Sequence, residues 1–321
     1  MSLRTIVALA VLAVLSYGAR AQSFPSKPVR VIVTFPPGGT PDIYGRVMSA
    51  ELQKIWNQSV VVENRTGAGG TIGTDYVAKA APDGYTLLFA ADASITIAPH
   101  LYSKLPYDPV RDFAPIVNVA AGPFVLMANP AFAPNSVKEL IALVQTQPGK
   151  VSYASSGAGG QQHLAMEYIR TMAGSMDMIH VPYKGFGQGI ADVLANQVPL
   201  IFGGITASIQ LTRSGKLKAL AVTGPKRAKA LPNVPAVAET LPGFDITAWY
   251  GFFAPAGAPR EIVKRIHDDS VAVIKRQDFL ERLDRDGIEP VGNTPEEFAA
   301  QIKADLAHWA GIVKAAGAKL D

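Results

Sequence analysis

Two glycine-rich loops hold the residues of this sequence that are best suited to bind a ligand. Residues 35–42 read FPPGGTPD, and residues 154–163 read ASSGAGGQQH. Each loop follows a predicted strand and precedes a predicted helix, where unpaired backbone N–H groups and the helix dipole favour an anion. Neither loop contains Lys or Arg. Two such loops facing each other across a cleft predict a site for a small carboxylate, and glycines that only form turns are the alternative.

The serines of the second loop also allow a hydrolytic interpretation, in which Ser155 or Ser156 is a nucleophile and His163 is its base. However, the first glycine of a G-x-S-x-G elbow is missing, and His163 falls one or two helical turns beyond the serines. We therefore expect His163 to brace the loop. Asp42 lies in the first turn of a predicted helix, where the helix dipole would stabilise its charge without any catalytic role.

Patterns typical of other ligand classes are missing or incomplete. The glycines of residues 67–73 do not have the G-x-G-x-x-G spacing, and no G-x-x-x-x-G-K-[ST] motif occurs, so we expect no nucleotide cofactor. The sequence has no cysteine, and its five histidines include no i, i+4 pair, which argues against disulfides and zinc. Basic residues are scattered and form no stripe, so nucleic acid is not an expected partner.

The elements that would position the two loops alternate between strand and helix. Residues 29–35 have an apolar side chain at every second position, and Ile32 makes the opposite face apolar as well. A strand that is apolar on both faces is typical of a sheet covered by helices. The next helix is predicted from the spacing of Tyr44, Met48, Leu52 and Ile55. Further strands, with helices between them, are predicted at residues 60–62, 85–90, 151–154, 178–183, 200–202 and 217–222.

The C-terminal third has a different pattern. Residues 244–254 form an apolar, aromatic stretch in which Trp249 and Tyr250 could line a cleft or pack between domains. A long helical region follows at residues 260–286, and residues 294–297 open a last helix with an N-cap threonine and a glutamate three positions later. Because this segment has too few strands for a third domain, we expect it to return and complete the first domain.

The length of the chain and these patterns predict two α/β domains, each with a mostly parallel sheet flanked by helices. Domain 1 would contain residues 22–121 and 245–321, and domain 2 would contain residues 122–244. Two crossing strands, near residues 118–124 and 246–251, would form the hinge between them.

The first 21 residues have the pattern of a secretory signal peptide. Arg4 is the basic start, residues 6–15 are an apolar run, and residues 19–21 place small residues at the cleavage positions. An apolar run of this length makes about 15 Å of helix, roughly half of the hydrocarbon core of a bilayer. We therefore expect cleavage after Ala21 and a soluble mature protein in the periplasm.

At the two loops, and along most of the chain, the sequence resembles the Bug receptors, the extracytoplasmic solute receptors of tripartite tricarboxylate transporters. The matching stretches occur in order and are FPSKPVRVIVTFPPGGTPDIYGR (24–46), VVVENRTGAGGTIGTDYVAKAAPDGYTLL (60–88), YDPVRDFAPI (107–116), SYASSGAGGQQHLAMEY (152–168), HVPYKG (180–185) and KALAVTGPKRAKALPNVPAVAET (218–240).

The resemblance implies a two-domain, periplasmic-binding-protein-like (Venus flytrap) fold that holds a ligand carboxylate between two loops, largely by backbone amides and ordered water. It implies ligand-binding roles for Phe35, Gly38, Gly39 and Asp42 in domain 1, for Ser155, Ser156, Gly157 and His163 in domain 2, and for the secondary candidates Ala91, Asp92, Ser94, Tyr183 and Lys184. Gly203 and Gly204 depart from the family pattern, because many relatives have there an aspartate that could pair with a ligand ammonium or hydroxyl group. We therefore expect a carboxylate without an amino group.

Together, the sequence and the resemblance predict a solute-binding protein, not an enzyme, that delivers a small carboxylate to the membrane components of a tripartite tricarboxylate-type transporter. No cofactor or metal is expected, and a monomer is the natural state of such a receptor. Two alternatives stay open. The chain could be an orphan receptor that presents its closed form to a sensor kinase, or a periplasmic hydrolase that uses Ser155 or Ser156.

Overall fold

The computed structural model describes residues 24–174 and 176–320, so the predicted signal peptide at residues 1–21 lies outside the described residues. The strands are β1 Val29–Val33, β2 Val60–Asn64, β3 Thr86–Ala91, β4 Phe113–Ala128, β5 Ser152–Ser155, β6 Ile179–Pro182, β7 Leu200–Gly204, β8 Lys218–Val222, β9 Thr247–Pro255 and β10 Glu289–Pro290. The helices are α1 Thr40–Trp56, α2 Thr71–Ala78, α3 Ala98–Leu101, α4 Val137–Thr146, α5 Gln161–Met172, α6 Phe186–Leu194, α7 Ile205–Arg213, α8 Arg260–Ile274, α9 Gln277–Asp286 and α10 Pro295–Ala316. Within the described ranges, no helix is both long and apolar enough to cross a membrane.

One half of the molecule is built on β2, β1, β3, β9 and the first part of β4, in that spatial order. β1 lies parallel to β2 and β3, whereas β9 runs antiparallel to both β3 and β4. The other half contains β6, β5, β7, the last part of β4, and β8. There β5 is parallel to β6 and β7, and β4 is antiparallel to β7 and β8.

The sheet in each half is therefore mixed and not mostly parallel. The two strands that connect the halves cause the difference, since they run against the parallel strands. β4 pairs with β9 as far as Pro123 and with β7 from Phe124 onward. β9 begins at Thr247, directly after Ile246, whose amide donates to the Thr223 carbonyl in the other half. Both crossings lie within the segments predicted for the hinge.

Strand β1 is buried on both faces, which confirms the pattern of its sequence. Val31 and Val33 belong to the same hydrophobic cluster as Met48 of α1, on one face of the sheet. Ile32 belongs to a second cluster that includes Phe298 of α10, on the other face. Helices therefore cover both sides of this sheet and hold the end of β1 in place, where the first glycine-rich loop begins.

The helix boundaries follow the predicted signals with two differences. The N-cap threonine of α10, Thr294, accepts from the Glu297 amide at 3.2 Å, so the predicted start is confirmed. The region 260–286 is divided into α8 and α9 by an extended backbone at Arg276. At the end of α1, Ile55 is 41% exposed and Trp56 is buried instead, because Trp56 continues the i, i+4 row from Leu52.

Candidate functional site

A cavity of about 1000 Å³ lies between the two halves, and both predicted loops line it through residues 35–41 and 156–162. This volume is at the upper end of the range of about 300–1,000 Å³ for small-molecule sites. The loops after β3 and β7 also contribute, so the cavity lies at the carboxyl ends of parallel strands from both halves. A smaller cavity of about 380 Å³ lies at the hinge and shares no lining residue with either loop.

The helices that begin at this cavity have glycine at their N-caps. Gly39 precedes α1, Gly160 precedes α5 and Gly204 precedes α7. Glycine has no side chain that could accept from the first-turn amides, so these amides, except at Pro41 of α1, which has no N–H, are available to an anion. Because α1 belongs to one half and α5 to the other, two positive helix ends meet at the cavity.

Asp42 holds the first loop from behind and does not line the cavity. Its carboxylate accepts from the Gly38 amide at 3.0 Å, from Asn64 Nδ2 at 2.7 Å and from Arg46 Nε at 2.9 Å. Burial alone would raise the pKa of Asp42, but the bonds from Asn64, Gly38 and Arg46 together lower it. Asn64 also donates to the Phe35 carbonyl at 3.0 Å. Asp42 is thus an ionised anchor that fixes the shape of the loop.

The second loop is held by a buried serine and two histidines. Ser155 Oγ lies 2.6 Å from His180 Nε2 and 3.2 Å from the Gly157 amide, which donates to it. His163 Nδ1 accepts from the Gly159 amide at 3.1 Å, so His163 braces the loop. The rings of His163 and His180 stack with centroids 4.0 Å apart, and Tyr153 stacks on His180 at 5.0 Å.

This stack favours neutral histidines. Burial, together with the neighbouring His163, lowers the pKa of His180 to about 4. Burial also lowers the pKa of His163, against the opposing charge of Glu167. Ser155 has no exposed surface, so its hydroxyl faces His180 and not the cavity. The pair therefore supports the loop and is not placed to attack a molecule in the cleft.

A buried carboxyl connects the two halves beside the cavity. Asp92 follows β3 and is 1% exposed, and its Oδ2 accepts from Gln161 Nε2 of α5 at 2.7 Å. Burial raises the pKa of Asp92 well above its usual range, and the charge of Asp305 raises it further. Asp305 in turn accepts from Trp249 Nε1 at 2.8 Å. The Asp92–Gln161 bond is a direct polar contact between the halves at the cleft.

The structure separates the residues proposed for the site into three groups. The cavity is lined by Phe35, Gly38, Gly39, Ala91, Ser156, Gly157 and Gly204. Directly behind the lining, and buried or half-buried, are Asp42, Asp92, Ser94, Ser155, His163 and Gly203. The third group, Tyr183 and Lys184, lies outside the cavity lining. The Tyr183 hydroxyl donates to Asp192 at 2.6 Å, and Lys184 is exposed. Of the two β9 residues that the sequence suggested for the cleft, Tyr250 lines the cavity and Trp249 is packed in the core.

Several walls of the cavity were not expected from the sequence. They come from the segment after β3, from the hinge, from α6 and from the C-terminal tail, and include Ile97, Leu101, Phe124, Phe186 and Leu320. These residues have no distinctive motif, so only the spacing of α3 and the aromatic character of Phe186 beside HVPYKG could have indicated them. Within residues 24–174 and 176–320, no group of three or more acidic or histidine side chains is arranged to hold a metal.

Comparison with known proteins agrees with this geometry. The sequence pattern of the tripartite tricarboxylate transporter family receptors matches residues 44–318. The protein BugT of Bordetella pertussis is 36% identical over 303 residues, which are 94% of this chain and 92% of that protein. Rpa4515 of R. palustris, solved with adipate, is 33% identical with a TM-score of 0.84, covering 92% of this chain and 100% of that one.

A second solved structure, MatC from Rhodopseudomonas palustris with bound malate, is 31% identical with a TM-score of 0.80. The match covers 90% of this chain and 100% of that one. These likenesses confirm the two-domain periplasmic-binding-protein-like fold and extend over nearly the full length of the relatives. The family match extends over most of the sequence, and it agrees with the cleft and the two glycine-capped helix ends across it. The chain therefore belongs to the family of tripartite tricarboxylate transporter receptors.

Proposed function

We propose that this chain is a periplasmic receptor that captures a small carboxylate between two domains and delivers it to the membrane components of a tripartite tricarboxylate-type transporter. Residues 22–121 and 245–321 form domain 1 of this proposal, and residues 122–244 form domain 2. The signal-peptide pattern of residues 1–21 supports export. The observation that carries the proposal is the cavity between two helix N-termini, each capped only by glycine, from opposite halves.

Hinged closure explains how such a receptor would capture its ligand. The halves are joined through β4 and β9, whose crossings lie next to each other at Pro123 and Thr247. An acid that docks on one loop would draw the other loop toward its remaining oxygen, because both helix ends are positive. Reversible capture in the micromolar range corresponds to about −8 kcal/mol, which a compact acid with several hydrogen bonds can supply.

A receptor fits the site better than a hydrolase does. Ser155 is fully buried against His180, and Ser156 Oγ donates to Gln162 Oε1 at 2.5 Å. A serine nucleophile needs an exposed hydroxyl and a base within hydrogen-bond reach. Neither serine has both, which supports binding without turnover. That two relatives were solved with adipate and malate supports a carboxylate as the ligand, and we expect one without an amino group.

A thermal-shift screen of the purified protein against carboxylic and amino acids tests the proposal. A ligand at 100 times its dissociation constant adds about 2.7 kcal/mol, which corresponds to a rise in Tm of about 4 °C for a chain of about 300 residues. The rise should occur without consumption of the acid. If no acid raises Tm, or if aspartate and glutamate raise it most, the proposed ligand class is wrong.

Substitution of Gly160 locates the site. Its backbone has φ −67°, and a Cβ there would lie 3.3 Å from the Gly157 carbonyl oxygen, so a side chain is accommodated if the loop shifts by a few tenths of an ångström. In Gly160→Asp, the new carboxylate would cap α5 and occupy the position of the ligand oxygen, so affinity should fall at least tenfold. Gly160→Asn is the matched control, since it caps the helix without adding charge and should bind more tightly than Gly160→Asp. Equal binding by both variants would place the carboxylate elsewhere.

A further inference from the structure

We infer that the cleft selects a monocarboxylate that carries an extended apolar body, an alkyl chain or an aromatic ring, over acids with a second carboxylate. This inference rests on the proposed function and names the substrate class of the same site. It goes further than the relatives do, because adipate and malate both have two carboxylates.

The first observation is the neutrality of the cavity. Among the described residues that line it, there is no Lys, Arg, His, Asp or Glu. Lys184, the cationic residue that the sequence placed nearest, is exposed to solvent outside the lining. One carboxylate can be held by the helix N-termini of the two loops. A second carboxylate in the same cavity would find no cationic side chain with which to pair.

The second observation is that four polar side chains of the lining already have partners inside the protein. Ser156 and Gln162 are bonded to each other, and Gln161 donates to Asp92 at 2.7 Å. Thr206 Oγ1 donates to the Asp286 carbonyl at 2.9 Å. A second carboxylate could recruit the Ser156 or Thr206 hydroxyl only by breaking these bonds, and the Gln161 and Gln162 amides would supply neutral donors and no charge.

The third observation is the apolar wall opposite the loops. Phe186 packs directly over Gly203, where a Cβ would lie 2.9 Å from the phenyl ring. The neighbouring Gly204 leaves open space, since a Cβ there would meet no atom within 4 Å. Phe124 and Ile97 also line the cavity. A ring or alkyl chain would bury apolar surface against these residues, whereas a carboxylate placed there would exchange its hydration for the first-turn amides of α7, with no cationic side chain among the described lining residues.

Titration calorimetry with matched pairs of acids tests the inference at pH 7.5. Hexanoate is compared with adipate, and benzoate with terephthalate, so that each pair differs mainly in the second carboxylate. We expect the monoacid of the better-binding pair to bind at least tenfold more tightly than its diacid. If the diacid binds equally or more tightly, the inference is wrong while the receptor function stands. If a wide panel of mono- and diacids shows no binding at all, both the inference and the proposed function fail.

Gly204 offers a direct control of the cause. Its φ of −58° and the open space around it allow a long side chain. Gly204→Lys would supply the cation that the lining lacks and should reduce the preference for the monoacid at least fivefold. Gly204→Gln, which has similar reach and no charge, should retain the preference. If both variants have the preference of the wild type, the neutrality of the lining is not its cause.

Discussion

The hydrogen bond between Asp92 and Gln161 gives the sharpest quantitative test of hinged closure. Asp92 belongs to the half that contains β3, and Gln161 is the first residue of α5 in the other half. If the halves separate in the ligand-free protein, this bond forms only on closure and contributes to ligand affinity. Asp92 itself does not line the cavity, so replacing it changes closure without removing a contact with the ligand.

The expected magnitude follows from the environment of the bond. A hydrogen bond of 2.7 Å to a fully buried carboxyl contributes about 1–2 kcal/mol net. A loss of about 1.4 kcal/mol raises Kd tenfold. Asp92→Ala should therefore weaken ligand binding about tenfold. Asp92→Asn is the matched control, because its amide oxygen can still accept from Gln161. The raised pKa of Asp92 favours the protonated acid, which has a similar donor and acceptor pattern to the amide.

The assay is titration calorimetry with the best ligand of the thermal-shift screen, together with small-angle scattering of the free and bound protein. The alanine variant should have a raised Kd and should need more ligand to reach the compact form, whereas the asparagine variant should bind within about threefold of wild type. Unchanged affinity of Asp92→Ala would refute the argument that this bond contributes to closure. Equal weakening of both variants would show that the loss comes from repacking around residue 92 and not from the lost acceptor.

Three further predictions concern the support of the cleft. The pKa of His180 is lowered to about 4 from 6.5, so its contribution to stability is complete above about pH 6.5 and is lost as the pH falls toward 4. The Tm of the protein should therefore fall between pH 7 and pH 5. The fall should be smaller in His180→Asn. Leu320 packs against Gly159 across the cleft, 3.0 Å from the position that a Cβ of residue 159 would occupy. Leu320→Ala should therefore weaken ligand binding about fivefold, or about 1 kcal/mol, in calorimetry. Leu194 has a similar exposure but lies outside the lining, so Leu194→Ala should leave binding unchanged. Gly203→Ala would place a Cβ 2.7 Å from Met127 Cε and should lower the free energy of unfolding by about 1–3 kcal/mol in denaturant titrations, whereas Gly204→Ala, which meets no atom, should leave it nearly unchanged.

The order of the secondary-structure elements could be predicted from the sequence, because the signals for it are local. The apolar pattern of β1, the i, i+4 rows of α1 and α10, and the cap at Thr294 depend on neighbours within a few residues. The same holds for the two glycine-rich loops, since strand, glycine and helix follow each other directly in the chain. Family membership could also be inferred at this stage, because the motifs extend along most of the sequence.

The relative direction of neighbouring strands in each sheet could not be predicted from the same patterns. β4 and β9 have apolar sequences that would suit a parallel or an antiparallel neighbour. Their antiparallel pairing follows from the path of the chain between the halves, and this makes each sheet mixed. Periodicity reports which faces of a strand are buried and carries no information about the direction of its neighbours.

The roles of the site residues were decided by contacts between distant parts of the chain. Asp42, Ser155 and His163 have residue types that suit a ligand site, yet their partners turn them toward the interior: Asn64 binds Asp42, and His180 binds Ser155. The sequence by itself determined the class of fold, the two loops and the kind of charge they would attract, because helix ends and glycine act through the local backbone. Only the tertiary structure decided which side chains form the walls and which stand behind them, because that depends on which strands become neighbours and on the bonds that close over residues far apart in the chain.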